Sequence, residues 1–70
     1  MAYTVKYVIL KKEQRLCCYR EGYPVVFYKN IEQDVKVVIE ESLLRYTIQI
    51  TSSDSVITIT CDRFEIKEAE

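Results

Sequence analysis

Three apolar segments near the N-terminus, residues 3–10, 16–20 and 25–29, constrain this chain more than any other feature. They are rich in Tyr, Val, Ile and Phe, the residues that suit a pleated, half-buried strand. A strand sends successive side chains to opposite faces. One face then carries Tyr3, Val5, Tyr7 and Ile9, followed by Leu16 and Cys18, then Val25 and Phe27. The opposite face carries Val8, Leu10, Cys17, Tyr19, Val26 and Tyr28. Both faces are apolar, so both need covering. A chain of 70 residues has little to cover them with, because a domain of this size buries only about 60% of the surface its unfolded form exposes.

The second half reads more simply. Tyr46, Ile48 and Ile50 share one face against Arg45, Thr47, Gln49 and Thr51. Ile57, Ile59 and Cys61 alternate with Val56, Thr58 and Thr60, and Phe64 and Ile66 with Arg63, Glu65 and Lys67. This is the period of strands with one buried and one wet face. Ser52-Ser53-Asp54-Ser55 supplies a four-residue hairpin connection.

Residues 31–43 admit two readings. Asn30 with Gln33 has the form of a capping box, and Ile31, Val35, Val38, Ile39 and Ser42 would share a helical face. Against a helix stand the β-branched Val35, Val37, Val38 and Ile39, which lose rotamer freedom there. As a strand, Val35, Val37 and Ile39 point inward, with Lys36 and Glu40 outward. The expected fold is a single small domain over 1–70, mainly β. Six or seven short antiparallel strands form a sheet or a nearly closed barrel. The alternative is α+β, with one helix at 31–43 packed on the sheet.

Composition narrows the chemistry. Hydrophobic residues at 49% and charged residues at 30% describe a folded chain. No His is present and only one Gly, so neither an imidazole-based site nor a glycine-rich phosphate loop can be built. Cys17, Cys18 and Cys61 are an odd set for a disulfide scaffold and lack metal-ligand spacing. They read as small core hydrophobes. The carboxylate pairs Glu40-Glu41 and Asp62 with Glu65 have no evident pocket in which to divide acid from base roles. The uninterrupted apolar run Tyr7–Leu10 is too short for a signal core or a membrane span. The expectation is a cytoplasmic, non-enzymatic protein without cofactor, metal or membrane association.

Charge is divided along the chain. Residues 1–30 carry a balance of +4 and residues 31–70 one of −5. In the basic half the cations are interleaved with aromatics, and Tyr19, Arg20, Tyr23, Tyr28 and Lys29 have the residue types that grip phosphates and stack bases. In the acidic half, Glu32, Asp34, Glu40, Glu41, Asp54, Asp62, Glu65, Glu68 and Glu70 offer a negative surface able to compete for a basic groove. The candidate partner-binding residues are therefore Tyr19, Arg20, Tyr23, Tyr28, Lys29, Glu32, Asp34, Glu40 and Glu41. In size, single-domain build and absence of a catalytic constellation the chain resembles phage- or mobile-element-encoded inhibitors such as anti-CRISPR proteins, a resemblance of type and not of motif. It implies an inhibitor or adaptor acting on a larger host protein complex. Two further readings stand beside it. One is a nucleic-acid- or nucleotide-binding small β module, including a ligand-sequestering oligomer; the other is a structural subunit of an assembly. The surplus of apolar strand surface also predicts a protein partner or a homo-oligomer.

Overall fold

The computed structural model describes residues 4–68. Tyr3, at the head of the first expected strand, and Glu70, in the acidic set, lie outside the described residues. Seven strands follow one another: β1 Thr4–Leu10, β2 Arg15–Arg20, β3 Tyr23–Lys29, β4 Val35–Ser42, β5 Arg45–Thr51, β6 Val56–Cys61 and β7 Arg63–Lys67. They divide between a four-stranded sheet in the order β1-β4-β5-β6 and a three-stranded sheet in the order β3-β2-β7, with every pairing antiparallel. Of the chain's three passages between the sheets, the β3–β4 connection at residues 30–34 is the longest and the other two are short corners. One is the turn Lys11–Gln14, and the other is Asp62, where β6 runs into β7 with a single residue between them.

Alternation decides which side chains meet. The registers set Val8 opposite Val37 and Ile50 opposite Val37, and likewise Ile39 opposite Ile48 and Ile48 opposite Ile59. One row of apolar side chains therefore lines the inner side of the larger sheet. Leu16 and Cys18, with Val26, Tyr28, Phe64 and Ile66, line the inner side of the smaller one. The two rows close on each other in one core, and the rings of Tyr46 and Phe64 meet edge to face at 5.0 Å. Such an aromatic contact contributes roughly 0.5–1.5 kcal/mol beyond the area it buries.

The strand reading of residues 31–43 holds over Val35–Ser42, and the α+β alternative with a helix at 31–43 does not: no helix occurs among the described residues. The reason lies in the burial. Val35, Val37 and Ile39 are buried while Lys36 is exposed, a period of two that a helix cannot present to one sheet. Asn30 keeps a capping chemistry but applies it to a loop. Its Oδ1 accepts from the Glu32 N–H at 2.9 Å, and its Nδ2 donates to the carbonyls of Leu10 at 2.7 Å and Gln33 at 2.9 Å. This wholly buried amide thus ties the end of β1 to the start of the β3–β4 connection. No helix of the described residues is long and apolar enough to cross a membrane.

Asn30→Leu removes all three bonds and leaves buried carbonyls without a donor, so it should lower the unfolding free energy by roughly 2–3 kcal/mol. Asn30→Asp keeps the bond to Glu32 and loses the two donations. Urea melts of the three proteins should place Asn30→Asp well below the parent, and equal midpoints would show that the Leu10 and Gln33 contacts contribute nothing.

Candidate interaction surfaces

A core one layer deep leaves the outward side of both sheets in solvent. On the smaller sheet the register builds three outward rows: Lys29, Arg15 and Lys67; then Phe27, Cys17 and Glu65; then Pro24, Tyr19 and Arg63. The Arg63 guanidinium lies 4.0 Å over the Tyr19 ring, and its Nη1 donates to Glu65 Oε2 at 2.6 Å. The Tyr19 hydroxyl donates to the other Glu65 oxygen at 3.2 Å, with Lys67 Nζ 3.6 Å from it. Glu65 thus sits at the centre of a small network. The hydrogen bond from Arg63, helped by Tyr19 and Lys67, holds its carboxyl below the ordinary value of 4.5. Lys29 is paired with Glu13 at 3.1 Å. Between Lys29 and Lys67 in the first row, Arg15 has a buried Nε with no hydrogen-bond partner among the described residues.

The three thiols are buried. Cys17 points outward yet is only 4% exposed, shielded by Phe27 and Glu65 across the sheet and by Arg15 and Tyr19 along its strand. Burial, reinforced by neighbouring Cys61, pushes the Cys18 thiol up to about 12, and burial also raises Cys61. A thiol that stays protonated is a poor nucleophile and a poor ligand. Among the described residues no three His, Cys, Asp or Glu side chains group to hold a metal ion.

The nine residues singled out from sequence fall in different places. Tyr19 is half-buried under Arg63, and Arg20 spends its Nη2 on the Thr60 carbonyl at 2.6 Å. Tyr28 turns inward to the core, so it is not a surface ring. Tyr23 is largely exposed at the end of the β2–β3 hairpin, and Lys29 lies at the other end of β3. Glu32 and Asp34 belong to the β3–β4 connection. Glu40 and Glu41 stand at the end of β4, Glu40 half-buried and Glu41 exposed. The basic–aromatic set and the acidic set are thus not one site. Only Glu40 and Glu41 adjoin a feature of another kind.

That feature is the β4–β5 hairpin. Ser42 pairs with Arg45, which leaves Leu43 and Leu44 as the two turn residues. They are 83% and 86% exposed, the highest values among the large hydrophobic side chains. Leu44 has φ +58°, a left-handed conformation that costs a side chain with a Cβ roughly 1–2 kcal/mol and that turns ordinarily give to Gly or Asn. The β2–β3 hairpin shows the usual solution, with Glu21 and Gly22 at φ +53° and +85° as in a type I′ turn. Sequence reasoning missed this tip because Leu43 closes the 31–43 segment and Leu44 falls between it and the alternation that begins at Arg45. The available signal was two leucines where no turn-forming residue stands.

Because the folded Glu65 value is depressed, whatever stability this carboxylate adds is present above the ordinary glutamate range. It is lost as pH falls through the folded value. In Arg63→Gln the carbon-detected titration midpoint of Glu65 should move upward toward 4.5. A midpoint that does not move would show that Arg63 is not what lowers it.

Compared with protein-family models, with curated proteins and with solved structures, the chain matches none.

Proposed function

We propose that this chain is a small non-enzymatic binding protein, an inhibitor or adaptor of a larger protein complex in the manner of phage- or mobile-element-encoded inhibitors, and that it engages its target with the β4–β5 hairpin tip. The observation that carries this reading is the Leu43–Leu44 turn, exposed at 83% and 86% and strained at Leu44. Removing a leucine side chain from water is worth about 1.5–3 kcal/mol. Two of them on a two-residue turn closed by the Ser42–Arg45 pair form a compact apolar anchor.

The flanking charge defines the receptor. Arg45 is exposed directly after Leu44, and behind the Ser42–Arg45 pair stand the exposed Glu41 and the half-buried Glu40, so the acids outnumber the cation. Acidic side chains behind an apolar tip disfavour an anionic lipid surface, which attracts cations. They favour an apolar protein pocket with a basic rim, of the kind that nucleic-acid-handling proteins carry. The nucleic-acid reading has less support: Tyr28 is inside, Tyr19 is covered by Arg63, and Lys29 and Lys67 already hold carboxylates.

Leu44→Gly separates stability from binding. It relieves the left-handed strain and should raise the unfolding free energy by about 0.5–1 kcal/mol after the greater unfolded-state freedom of Gly is counted. The same change removes half of the anchor. Affinity capture with tagged parent, Leu43→Ser/Leu44→Gly and Glu40→Lys/Glu41→Lys proteins should yield one protein that the parent retains and both variants lose. Equal retention of that protein by the leucine variant would rule out the tip as the contact.

A further inference from the structure

The four sheet edges are not equally protected. Edges expose unpaired N–H and C=O groups, and folded proteins blunt them with proline, bulges, short strands or covering groups. On β3, Pro24 removes a donor, and Val25 is an extra residue between the pairs Cys18–Val26 and Tyr19–Pro24. On β6, the Arg20 guanidinium takes the Thr60 carbonyl, and the Asp62 N–H donates to Tyr19 O at 2.9 Å. β7 is only five residues long. β1 has neither proline nor bulge nor covering group, and its one protecting feature is the charge of Lys6. The strand pairs with β4 without a break from Thr4–Glu41 to Leu10–Val35, and its other edge has no ladder partner among the described residues. Its outward row is apolar, with Val5 39%, Tyr7 70% and Ile9 51% exposed, and Val38 extends it on β4.

We infer that β1 is a self-association edge: a second copy of this chain pairs with it antiparallel, centred on Tyr7, to join the two four-stranded sheets into one of eight. The Val5–Tyr7–Ile9 row, which reads apolar in both directions, favours a second copy as the occupant, and Lys6 sets the register. Lys6 is the one charged residue of β1, and pairing centred on it would set like charges directly opposite, which is destabilising. Centred on Tyr7, Lys6 faces Val8 of the second copy. The outward rows become Val5 against Ile9, Tyr7 against Tyr7 and Ile9 against Val5. Outside them, Lys36 lies beside Ile9 and Glu40 beside Val5 on each β4. In that register the charges at the two ends of an outer row are about 14 Å apart, and the Lys36 Nζ leans over the Tyr7 ring of its own copy at 5.6 Å, so charge contributes little to the joint. The strand is complementary to itself in apolar surface, and a two-fold interface requires this of one patch. Because the Thr4 end of β1 adjoins the β4–β5 turn, the two Leu43–Leu44 tips would lie at opposite ends of the joined sheet.

Sedimentation equilibrium of the full chain across the micromolar range should give twice the 8.3 kDa chain mass. Ile9→Lys adds a cation beside Lys36 at a half-exposed position, and it should weaken dimerisation roughly tenfold or more with an unchanged circular dichroism spectrum. Tyr7→Cys, treated with oxidised glutathione, should form a reducible covalent dimer, whereas Ile9→Cys, whose own counterpart is four residues away along the strand, should not. A monomeric parent, or a dimer that Ile9→Lys leaves intact, overturns the interface. Cross-linking through Ile9→Cys in place of Tyr7→Cys overturns the register.

Discussion

Two sheets that share a single layer of inward side chains have only one covered face each, and the rest of this molecule follows from that arrangement. Leu16 and Cys18 on one side, and Val37, Ile39, Ile48 and Ile50 on the other, are sealed because they face each other. Among the described residues no further element forms a third layer. The apolar residues of opposite parity, Val5, Tyr7, Ile9, Val25 and Phe27, therefore stay exposed. The corners at Lys11–Gln14 and Asp62 make the closure possible with almost no loop. Their polar groups are used accordingly: Asn30 fastens the first corner to the β3–β4 connection, and Asp62 accepts the Glu21 N–H at 2.8 Å across the second.

Much of this fold was legible in the sequence, because burial on one side leaves a period-two trace. Tyr46, Ile48 and Ile50, then Ile59 and Cys61, then Phe64 and Ile66 face inward as their alternation indicates. The strand over Val35–Ser42 was harder to read, since Asn30 and Gln33 imitate a helix start. The imitation has a physical basis: a short amide side chain that bonds backbone two or three residues away serves a helix cap and a loop equally well. β-branched content was the better guide. The partition into two sheets was not legible, because alternation within a strand carries no information about which strand lies beside it.

The interaction surface was legible only in outline. Doubly apolar strands announced exposed surface without saying which parity would lose. That depends on the corners, and in β3 on the bulge at Val25, which brings Pro24 opposite Tyr19. Tyr28 was misplaced for this reason: its neighbour Lys29 lies on the outward face, while the ring itself completes the core. Charge was a poor locator as well. Of the cations that the sequence groups with aromatics, Lys29 is held by Glu13 and Arg20 is spent on the Thr60 carbonyl.

Among the exposed apolar residues, the hairpin leucines differ from the strand residues in one respect that bears on function. Val5, Ile9 and Phe27 have a local reason to be where they are, since branched and aromatic side chains favour the extended backbone even when one face is wet. Leucine in a left-handed turn has no such reason. It raises the energy of the isolated hairpin, gains nothing from the core, and occupies a place that the β2–β3 hairpin gives to Gly22. Where local preference and native geometry disagree without compensation inside the molecule, the compensation is sought outside it. A partner surface that takes both leucines out of water supplies a gain several times larger than the strain. Glu13 and Glu21 share the left-handed conformation, at φ +74° and +53°, but among the described residues Leu44 alone joins it to a largely exposed apolar side chain. This conjunction, together with the two acidic residues behind the turn, singles out the tip from the merely exposed.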